Sequence, residues 1–600
     1  MPLYVAPPSL THGEPAAGGM LIVTGSSRSR FSRGRSLASF VQTTPIPPQA
    51  FVDTTFPTFN GTVWNVTDNT SMNTALANAV GGDVIVIANG TSLTGQFNLR
   101  ARSDTQYLGI VDQRIHAGTF PRTPGDAVSN QLLRPFQRTR PSDFASVRSK
   151  LTATSANLCI TTDPGAAYYW FAGLEISGPA SATGGGVALI DIRDQTGSVS
   201  DVNAQPHHII FDRCYIHGTN GVDTRRGLLM NGQSIAAIDC WFEECHQAGF
   251  DSNGIACWNG AGPFKIVNCY VAASTENIIF GGADPAVFGL VPSDIEVDLC
   301  HLWKDPAWIT DGFDYTIKNL YEHKNGRRAR IQRCVLENCW QQAQTGNAFL
   351  FQPLTDNNTA PWTSITDLTI SYVLVKGAGT GIVMSSRVAF DNPGQPGTGV
   401  LPTTPLSRVN ISNVLLRQIG LRTPANGFPT VNDGGRLMQI TGDFQYITVD
   451  HVTGKAPVDF LALDSNGLGP PTGFVMTRGL YGRGDFGMFG SNKGEGSAGL
   501  IAYGGSDFKY KEVVLYDSNA APGDGAFEPS VRYPGLDPSN SFIDLGFPGS
   551  ENAVGFTNPA GDDWSLSPTS PFKGAGSDGL DLGCDVPGLN AAIANVVQSR

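Results

Sequence analysis

The chain has 600 residues, a formal net charge of -12 and an isoelectric point near 5.2. This negative charge disfavours sequence-independent binding of nucleic acid as the main activity. The combination of 71 Gly and 39 Pro residues with only 15% charged residues is typical of short strands joined by turns and argues against a long helical bundle. No stretch approaches the ~20 apolar residues that a membrane-spanning helix needs.

The first 100 residues divide into two predicted parts. Residues 1–50 are rich in Pro, Ser and Gly, which predicts a flexible or docking segment, and they show no compact basic-then-apolar signal peptide. Residues 51–100 are predicted to form an N-terminal cap and the first coil. A short helix from Asn69, closed by Gly81-Gly82, leads into a strand from Val84, and we expect this helix to cover the open end of a β core.

Beyond residue 100 the chain repeats a pattern that is built on one column of residues. An apolar residue stands three places before each member of the column, and another stands two places after nearly every member. Residues two apart share a face of a strand, whereas a gap of three requires a bend. Each repeat is therefore predicted to be a strand, a bend and a strand. The column consists of Cys214, Cys240, Cys269, Cys300, Cys334, Val373, Val414 and Val452.

The spacing of this column drifts between about 26 and 41 residues, which is typical of a solenoid whose turns carry loops of different length. We predict an all-β, single-stranded right-handed parallel β-helix with an N-terminal helical cap. Residues 101–455 are assigned to its regular coils, and residues 456–600 to degenerate C-terminal coils and a cap. The consensus of leucine-rich repeats and the four-stranded units of propellers are both missing from the sequence.

The column cysteines are predicted to be inward-facing free thiols that pack as small hydrophobic groups, because Val replaces them in later coils. Ligands of a metal would instead converge on one point. Local disulfides that involve Cys245 or Cys339 stay open.

Three segments carry a family resemblance: GIACWNGAGPFKIVNCYVAASTENIIFGGADP, VPSDIEVDLCHLWKDPAW and IKNLYEHKNGRRARIQRCVLENCWQQAQTG. They resemble right-handed parallel β-helix proteins of the pectate-lyase-like superfamily, most of all a group of large bacterial secreted or surface proteins. The resemblance implies an extracellular or cell-surface location. It covers roughly residues 70–592 and is specific for the fold, much less so for activity, because the superfamily contains lyases, hydrolases, and binding and structural members.

The site motifs of the known enzymes in this superfamily are not matched. The calcium-binding Asp set of pectate lyases and the paired Asp of polygalacturonases find no counterpart. Alginate and chondroitin lyases of the β-helix type use a Glu-rich calcium site followed by Lys and Arg. Glu322 and Lys324 are similar to that arrangement, but the spacing and the later Arg differ.

A further strand of each coil can be aligned as LLMNG, ACWNG, IIFGG, EHKNG, FLFQP and IVMSS. Glu322 then lies beside Lys324 on the outer face, and aromatic faces around such a pair suit stacking on sugar rings. The alternative is that neighbouring loops cover these side chains as a second core. The alignment directs Leu229, Cys257, Ile279, His323, Leu350 and Val383 inward. It directs Trp258, Phe280, Lys324, Phe351 and Met384 outward.

The chemistry is assigned to charged residues near this stripe. Glu322, Lys324 and Glu276 are the catalytic candidates, since two carboxyls can flank a glycosidic bond as acid and base and a Lys can abstract the C5 proton of a uronate. The candidate substrate-binding residues are Trp258, Phe280, Lys304, Lys318, Arg327 and Phe351. A solvated surface of salt bridges is the alternative for the basic residues.

No metal site is assigned by the sequence. Calcium is an open possibility at Asp578, Asp581 and Asp585, where a capped turn is the alternative.

Together these features predict an extracellular β-helix protein that binds an acidic, uronate-containing polysaccharide. The hypothesis includes cleavage of that polysaccharide by a lyase or hydrolase reaction. The rival hypothesis is a noncatalytic surface, adhesive or filament-forming solenoid that self-associates through the same stripe. An open groove with converging charges favours the first hypothesis.

Overall fold

The computed structural model describes residues 42–118, 138–143, 145–154, 158–181, 187–194, 199–389, 397–420, 434–517, 529–535, 539–543, 545 and 551–598. The predicted N-terminal segment falls mostly outside this range, since residues 1–41 are not described. Across the described residues, no helix has both the length and the apolar character that crossing a membrane requires.

The fold is the predicted right-handed parallel β-helix, in which each coil hydrogen-bonds to the coil before and after it. The larger sheet contains 24 strands within the described residues. Its strands are Val63–Val66, Val84–Ile87, Ser92–Thr94, Leu108–Asp112, Lys150–Thr152, Ala167–Ala172, Glu175–Ser177, His207–Asp212, Tyr215–His217, Gln233–Ile238, Trp241–Cys245, Phe264–Val267, Tyr270–Ala273, Ser293–Asp298, His301–Trp303, Gly326–Gln332, Val335–Cys339, Ile365–Ala378, Ser407–Arg417, Gln445–Gly454, Thr472–Thr477, Leu480–Gly482, Lys509–Tyr516 and Ser541–Ile543.

The second sheet stacks one strand from each coil on another wall of the solenoid, and it carries the candidate site. Its described strands are parallel except for the last pair. They are Phe97–Leu99, Ile160–Thr162, Val187–Asp194, Thr224–Met230, Asn253–Cys257, Glu276–Phe280, Asn319–His323, Asn347–Phe351, Thr380–Ser385, Arg436–Thr441, Asp459–Asp464, Met488–Gly490 and Gly494–Glu495. Two small pairs complete the strands: Leu354–Thr355 with Val388–Ala389, and Phe556–Asn558 with Asp563–Leu566.

The apolar columns read from the sequence are the observed register of the larger sheet. Phe211 pairs with Ala237 and Ile331 pairs with Ile370, three places before the Cys/Val column. The bend that a gap of three requires is also present, because the residue just before each column member has a left-handed backbone with φ between 50° and 55°. These residues are Arg213, Asp239, Asn268, Leu299, Arg333, Tyr372, Asn413 and His451.

The column itself runs vertically through the core. The backbone N–H that follows each Cys donates to the carbonyl of the column residue one coil earlier; for example, Tyr270 N lies 3.0 Å from Cys240 O and His301 N lies 2.9 Å from Cys269 O. All ten cysteines are buried, and none of them forms a disulfide. The open question about local disulfides of Cys245 and Cys339 is therefore answered: neither residue is part of one.

Six α-helices lie among the described residues, and they cover ends and sides of the solenoid: α1 (Asn69–Asn78), α2 (Gln113–His116), α3 (Ser497–Tyr503), α4 (Pro529–Arg532), α5 (Glu551–Val554) and α6 (Val586–Ala592). Three short 3-10 helices lie in the same described part of the chain, at Val202–Ala204, Pro306–Ile309 and Pro559–Gly561. Helix α1 is the predicted cap. Asp68 accepts a hydrogen bond from the Ser71 N–H in a capping box, and Met72, Ala75 and Leu76 enter the main core. Helix α6 contacts the strands Ile365–Ala378 and Ser407–Arg417 on the side of the larger sheet.

Residues 43–59, which we call the strap, run along the outside of the larger sheet against successively earlier coils. Ile46 N donates to Asp367, Gln49 N donates to Asp294 at 2.8 Å, and Thr54 Oγ1 accepts from Lys265 at 2.7 Å. Phe56 then meets Trp170 edge to face. The strap therefore ties several coils together with polar contacts and a small apolar cluster.

Candidate functional site

One position of the second sheet changes from apolar to charged in the middle of the solenoid. The outward-facing residues of neighbouring coils pair in register as Asp191, Leu229, Ala256, Ile279, Glu322, Leu350 and Val383. Glu322 thus occupies a position that is aliphatic in the coils directly before and after it. A carboxylate placed between aliphatic neighbours needs partners of its own, because burying it unpaired is costly.

Glu322 finds those partners in Lys324 and Asn319. The Lys324 Nζ lies 3.1 Å from Glu322 Oε1, and the Asn319 amide donates to Oε2 at 2.7 Å. The ion pair leaves Oε1 without a hydrogen bond. Glu322 is fully buried, while the Lys324 side chain keeps 14% of its surface exposed. The prediction that these two residues lie side by side on the outer face is confirmed.

Glu276 begins the strand one coil earlier and lies close enough to Glu322 for their charges to interact. Its Oε2 accepts a hydrogen bond from the Asn253 amide at 2.7 Å, and Lys318 Nζ is 3.8 Å from Oε1. Burial, reinforced by the negative charge of Glu322, raises the pKa of Glu276 to about 8. Glu276 is therefore protonated at neutral pH and holds a proton that it can donate.

Lys318 and Lys324 cover these two carboxyl groups on the solvent side. Burial alone lowers the pKa of each lysine, but the nearby carboxyls of Glu276 and Glu322 outweigh it and the pKa of both lysines is raised. Lys318 also forms an ion pair with Asp251. Both ammonium groups are consequently charged at neutral pH, which suits them to binding an anion and not to accepting a proton.

A cleft of about 330 Å³ opens over Glu322 and Lys324. We call it the charged cleft. Asn347 donates to Asn319 at 2.7 Å, and Asn319 in turn donates to Gln344 at 2.8 Å, so that amides from two strands and one loop form a single network at the floor. The lining residues are Glu322, Lys324, Gln344, Thr345, Asn347, Leu350 and Gln352.

Lys304 does not reach the charged cleft as a substrate-binding residue would. It is completely buried, and its Nζ donates to the carbonyls of Ala273, Ser274 and Thr275 and to Asn277 Oδ1, at 2.7 to 2.9 Å. These carbonyls form the corner that leads into Glu276. The predicted exposed role is wrong, and Lys304 instead holds that corner in place.

Two of the three predicted aromatic platforms are also misplaced. Phe280 and Phe351 belong to the main core and are fully buried, so neither can stack on a sugar. Met384 likewise points inward, whereas Leu229, Ile279, Leu350 and Val383 point outward. Trp258 does lie on the outer face, packed on Leu229, Ala256 and Ile279, with the Arg226 guanidinium 5.0 Å from its ring centroid.

His323 and Cys257 face the core as predicted. Burial lowers the pKa of His323 to about 3, which keeps its imidazole neutral. Its Nδ1 lies 3.2 Å from the Tyr321 hydroxyl.

Arg327 and its neighbours belong to the larger sheet, beyond the corner that follows Lys324. Arg328, Arg330 and Arg333 pair with carboxylates one coil earlier, on Asp294, Glu296 and Asp298. The alternative of a salt-bridged surface is therefore the observed one for these three arginines. Arg327 donates to Ser293 Oγ at 2.8 Å and is separate from the charged cleft.

The three C-terminal carboxylates proposed for calcium each have a different partner. Asp578 accepts from His451 at 2.9 Å, Asp581 pairs with Lys573 at 3.0 Å, and Asp585 caps helix α6 by accepting from Gly588 N. Among the described residues, no three His, Cys, Asp or Glu side chains converge on a metal position. Capped turns describe this region.

Sequence reasoning missed the amides of the site. Asn253, Asn319 and Asn347 begin successive or neighbouring strands of the second sheet and bond to Glu276, Glu322 and each other. A signal was present, since an Asn stands three residues before Glu322 and at the corresponding start of the next strand.

Comparison with known proteins gives structures but no sequence relatives. No protein-family model and no curated protein matches the chain. The alginate lyase AlyGC of family PL6 has 12% identity and a TM-score of 0.44, over 86% of this chain and 58% of that structure. A mannuronic acid-specific family 6 lyase from human gut microbiota has 9% identity and a TM-score of 0.43, over 81% of this chain and 91% of that structure. Pectate lyase Pel9A has 11% identity and a TM-score of 0.27, over 85% of this chain and 89% of that structure. At these identities the likeness concerns the fold and not the activity.

Proposed function

We propose that the charged cleft binds an acidic polysaccharide and cleaves it. The observation that carries this proposal is that Glu322 and Lys324 line an open cleft, while Glu276, whose pKa is raised to about 8, lies one coil behind Glu322 with Lys318 beside it. Carboxyls whose environments separate their protonation states are the usual source of an acid and a base in one site. The lysines supply the complementary charge for uronate carboxylates.

Binding begins with a change of partner by Lys324. A uronate carboxylate that enters the cleft offers Lys324 a second anion, and its long side chain can turn from Glu322 toward the ligand. Glu322 Oε1, which has no hydrogen bond, then becomes free to accept a proton. The substrate's own charge therefore activates the base.

Two reactions are compatible with this arrangement, and in both the proton that Glu322 accepts is matched by one that Glu276 donates. In elimination, Glu322 takes the C5 proton of the uronate, the C4=C5 double bond forms, and the C4–O bond breaks as Glu276 gives its proton to the leaving oxygen. In hydrolysis, Glu322 takes a proton from water that attacks the anomeric carbon, and Glu276 protonates the leaving oxygen. We favour elimination because the cationic lysines neutralise the carboxylate that makes the C5 proton acidic.

The test is turnover of alginate, polygalacturonate and chondroitin by the purified chain. New reducing ends report cleavage of either kind, and ultraviolet absorbance of an unsaturated product reports elimination alone. Lys324→Met and Glu322→Gln should each lower turnover by about 100-fold or more, the range for a positioned acid, base or charge. The matched control is Lys509→Met, which removes an exposed lysine of the larger sheet and should leave turnover unchanged.

Two combinations of results would count against the proposed cleavage. Absence of turnover together with absence of retention on any of these glycans would refute the proposal and leave the noncatalytic solenoid as the better hypothesis. Retention that Lys324→Met abolishes, without turnover, would reduce the charged cleft to a binding site.

A further inference from the structure

A second cleft, unrelated to the charged cleft in its lining, opens at the corner between the two sheets. Its volume is about 420 Å³, within the size range of small-ligand sites. Apolar side chains dominate its wall, among them Pro263, Phe288 and Leu290, and the charged residues at its edge are Asp294, Arg327 and Arg328. A mostly apolar cleft with a few convergent polar groups is the usual form of a binding site.

The cleft presents an aromatic ring that the fold does not use. Phe288 is 86% exposed, although burial of such an apolar side chain is favourable. Its ring centroid is 4.7 Å from that of Trp362. Trp362 is itself held in place, since its indole N–H donates to the Leu290 carbonyl at 3.1 Å. The pair therefore forms a firm, solvent-facing aromatic surface.

The cleft also carries an arginine, Arg327, whose charge is only partly neutralised, since Asp294 and Asp367 act on it without forming a salt bridge. Asp294 already accepts hydrogen bonds from Nε and Nη2 of Arg328, at 2.6 and 2.8 Å, and from the backbone N–H of Gln49 in the strap. Arg327 has a hydrogen bond to Ser293 Oγ but no ion pair with any carboxylate in the described part of the chain. Its guanidinium keeps donors available to an anion.

We propose that this corner cleft binds a sugar ring that bears a carboxylate. The ring would lie on Phe288 and Trp362, and the carboxylate would meet Arg327. An apolar ligand would leave Arg327 without a partner, and a compact inorganic anion would leave the exposed aromatic pair without a function. A uronate satisfies both features because it combines a ring face with one charge. This inference does not depend on catalysis at the charged cleft.

The experiment uses the full chain labelled with 5-fluorotryptophan and followed by fluorine NMR. The Trp362 resonance is identified by its loss in Trp362→Phe, and the titrants are glucuronate and uncharged glucose. We expect glucuronate to shift the Trp362 resonance saturably and glucose to do so far more weakly. Because Trp362 contacts Phe288, which lines the corner cleft, this signal is separate from any binding near Trp258 and Lys324.

Two variants test the assigned contacts. Arg327→Gln removes the charge-assisted hydrogen bond to the carboxylate and should weaken glucuronate binding roughly 10-fold or more. Phe288→Ala should weaken it severalfold, and both exposed changes should leave the fold intact. The matched control is Arg330→Gln on the same strand, whose guanidinium is paired with Glu296 at 2.7 Å.

The possible results separate cleanly. Loss in Arg327→Gln and Phe288→Ala with retention in Arg330→Gln supports the site. A Trp362 resonance that does not respond to glucuronate, or an equal loss in Arg330→Gln, overturns it. Lys324→Met should abolish turnover of polysaccharide and leave the Trp362 response unchanged, so that failure at one cleft is distinguishable from failure at the other.

Discussion

The raised pKa of Glu276 makes a direct prediction about the charged cleft. The folded chain lifts this pKa from 4.5 to about 8, and each pKa unit corresponds to about 1.4 kcal/mol. Ionising Glu276 inside the fold therefore costs about 5 kcal/mol more than ionising it in the unfolded chain. Between pH 4.5 and about 8 the unfolded state releases this proton while the folded state keeps it, so this residue's contribution to stability falls as pH rises and becomes constant above pH 8.

The replacement Glu276→Gln should remove this dependence. Glutamine preserves the acceptor for the Asn253 amide but cannot ionise. Urea unfolding at pH 5 should give similar midpoints for the two proteins, whereas at pH 9 the variant should be the more stable by up to about 5 kcal/mol. Infrared spectroscopy offers a second measurement, because the C=O band of a protonated carboxylic acid should persist to neutral pH in the parent chain and be missing from the variant.

Glu322→Gln supplies the matched control, since the negative charge of Glu322 is the second cause of the shift after burial. Removing it should move the Glu276 titration to lower pH without abolishing it. The reasoning is refuted if the infrared band disappears below pH 6 in the parent chain, or if Glu276→Gln and the parent chain respond identically to pH. Turnover that depends on a protonated Glu276 should likewise decline as pH rises through about 8.

Three further changes test other parts of the structure. Lys304→Met should destabilise the fold by about 3–5 kcal/mol in thermal unfolding, because four buried acceptors lose their donor. Lys324→Met should cost far less. Equal losses of stability in the two variants would contradict the structural role given to Lys304. Cys269→Val should cost under about 1.5 kcal/mol, since Val373 occupies the same column, and all thiols should react with Ellman's reagent only after unfolding; rapid labelling of the native chain would argue against the buried column. Deleting residues 43–59 should lower the melting temperature and expose Trp170 to quenchers, and unchanged quenching would show that the strap does not cover it.

The sequence predicted the larger sheet well because its geometry is rigid from coil to coil. Every repeat places two strands around a single left-handed residue, so the distance between the Ile331 column and the Cys334 column never changes. The apolar pattern and the bend then report the same register. Drifting loop lengths elsewhere in the coil do not disturb it.

The register of the second sheet was harder to predict from the sequence because its strands end in corners of unequal length. Aligning the repeats on their turn residues placed Cys257 level with Leu229, whereas the hydrogen-bonded partner of Leu229 is Ala256. A slip of one residue exchanges the two faces of a strand. Phe280 and Phe351 were consequently predicted to face outward, while the strand of Glu322, which carries its own charges, was oriented correctly.

The two lysines near Glu276 show why charge alone does not identify a binding residue. Lys304 and Lys324 are both close enough to Glu276 and Glu322 to interact with their charges. Lys304 donates to four fixed oxygens, so moving it would leave those acceptors without a donor. Burial also lowers the pKa of Lys304 to about 8. Lys324 holds a single carboxylate and retains an exposed tip. Only the second lysine can exchange its partner for a ligand at modest cost. This difference makes Lys324 the substrate-binding candidate under the proposed function, whereas Lys304 holds a corner of the fold.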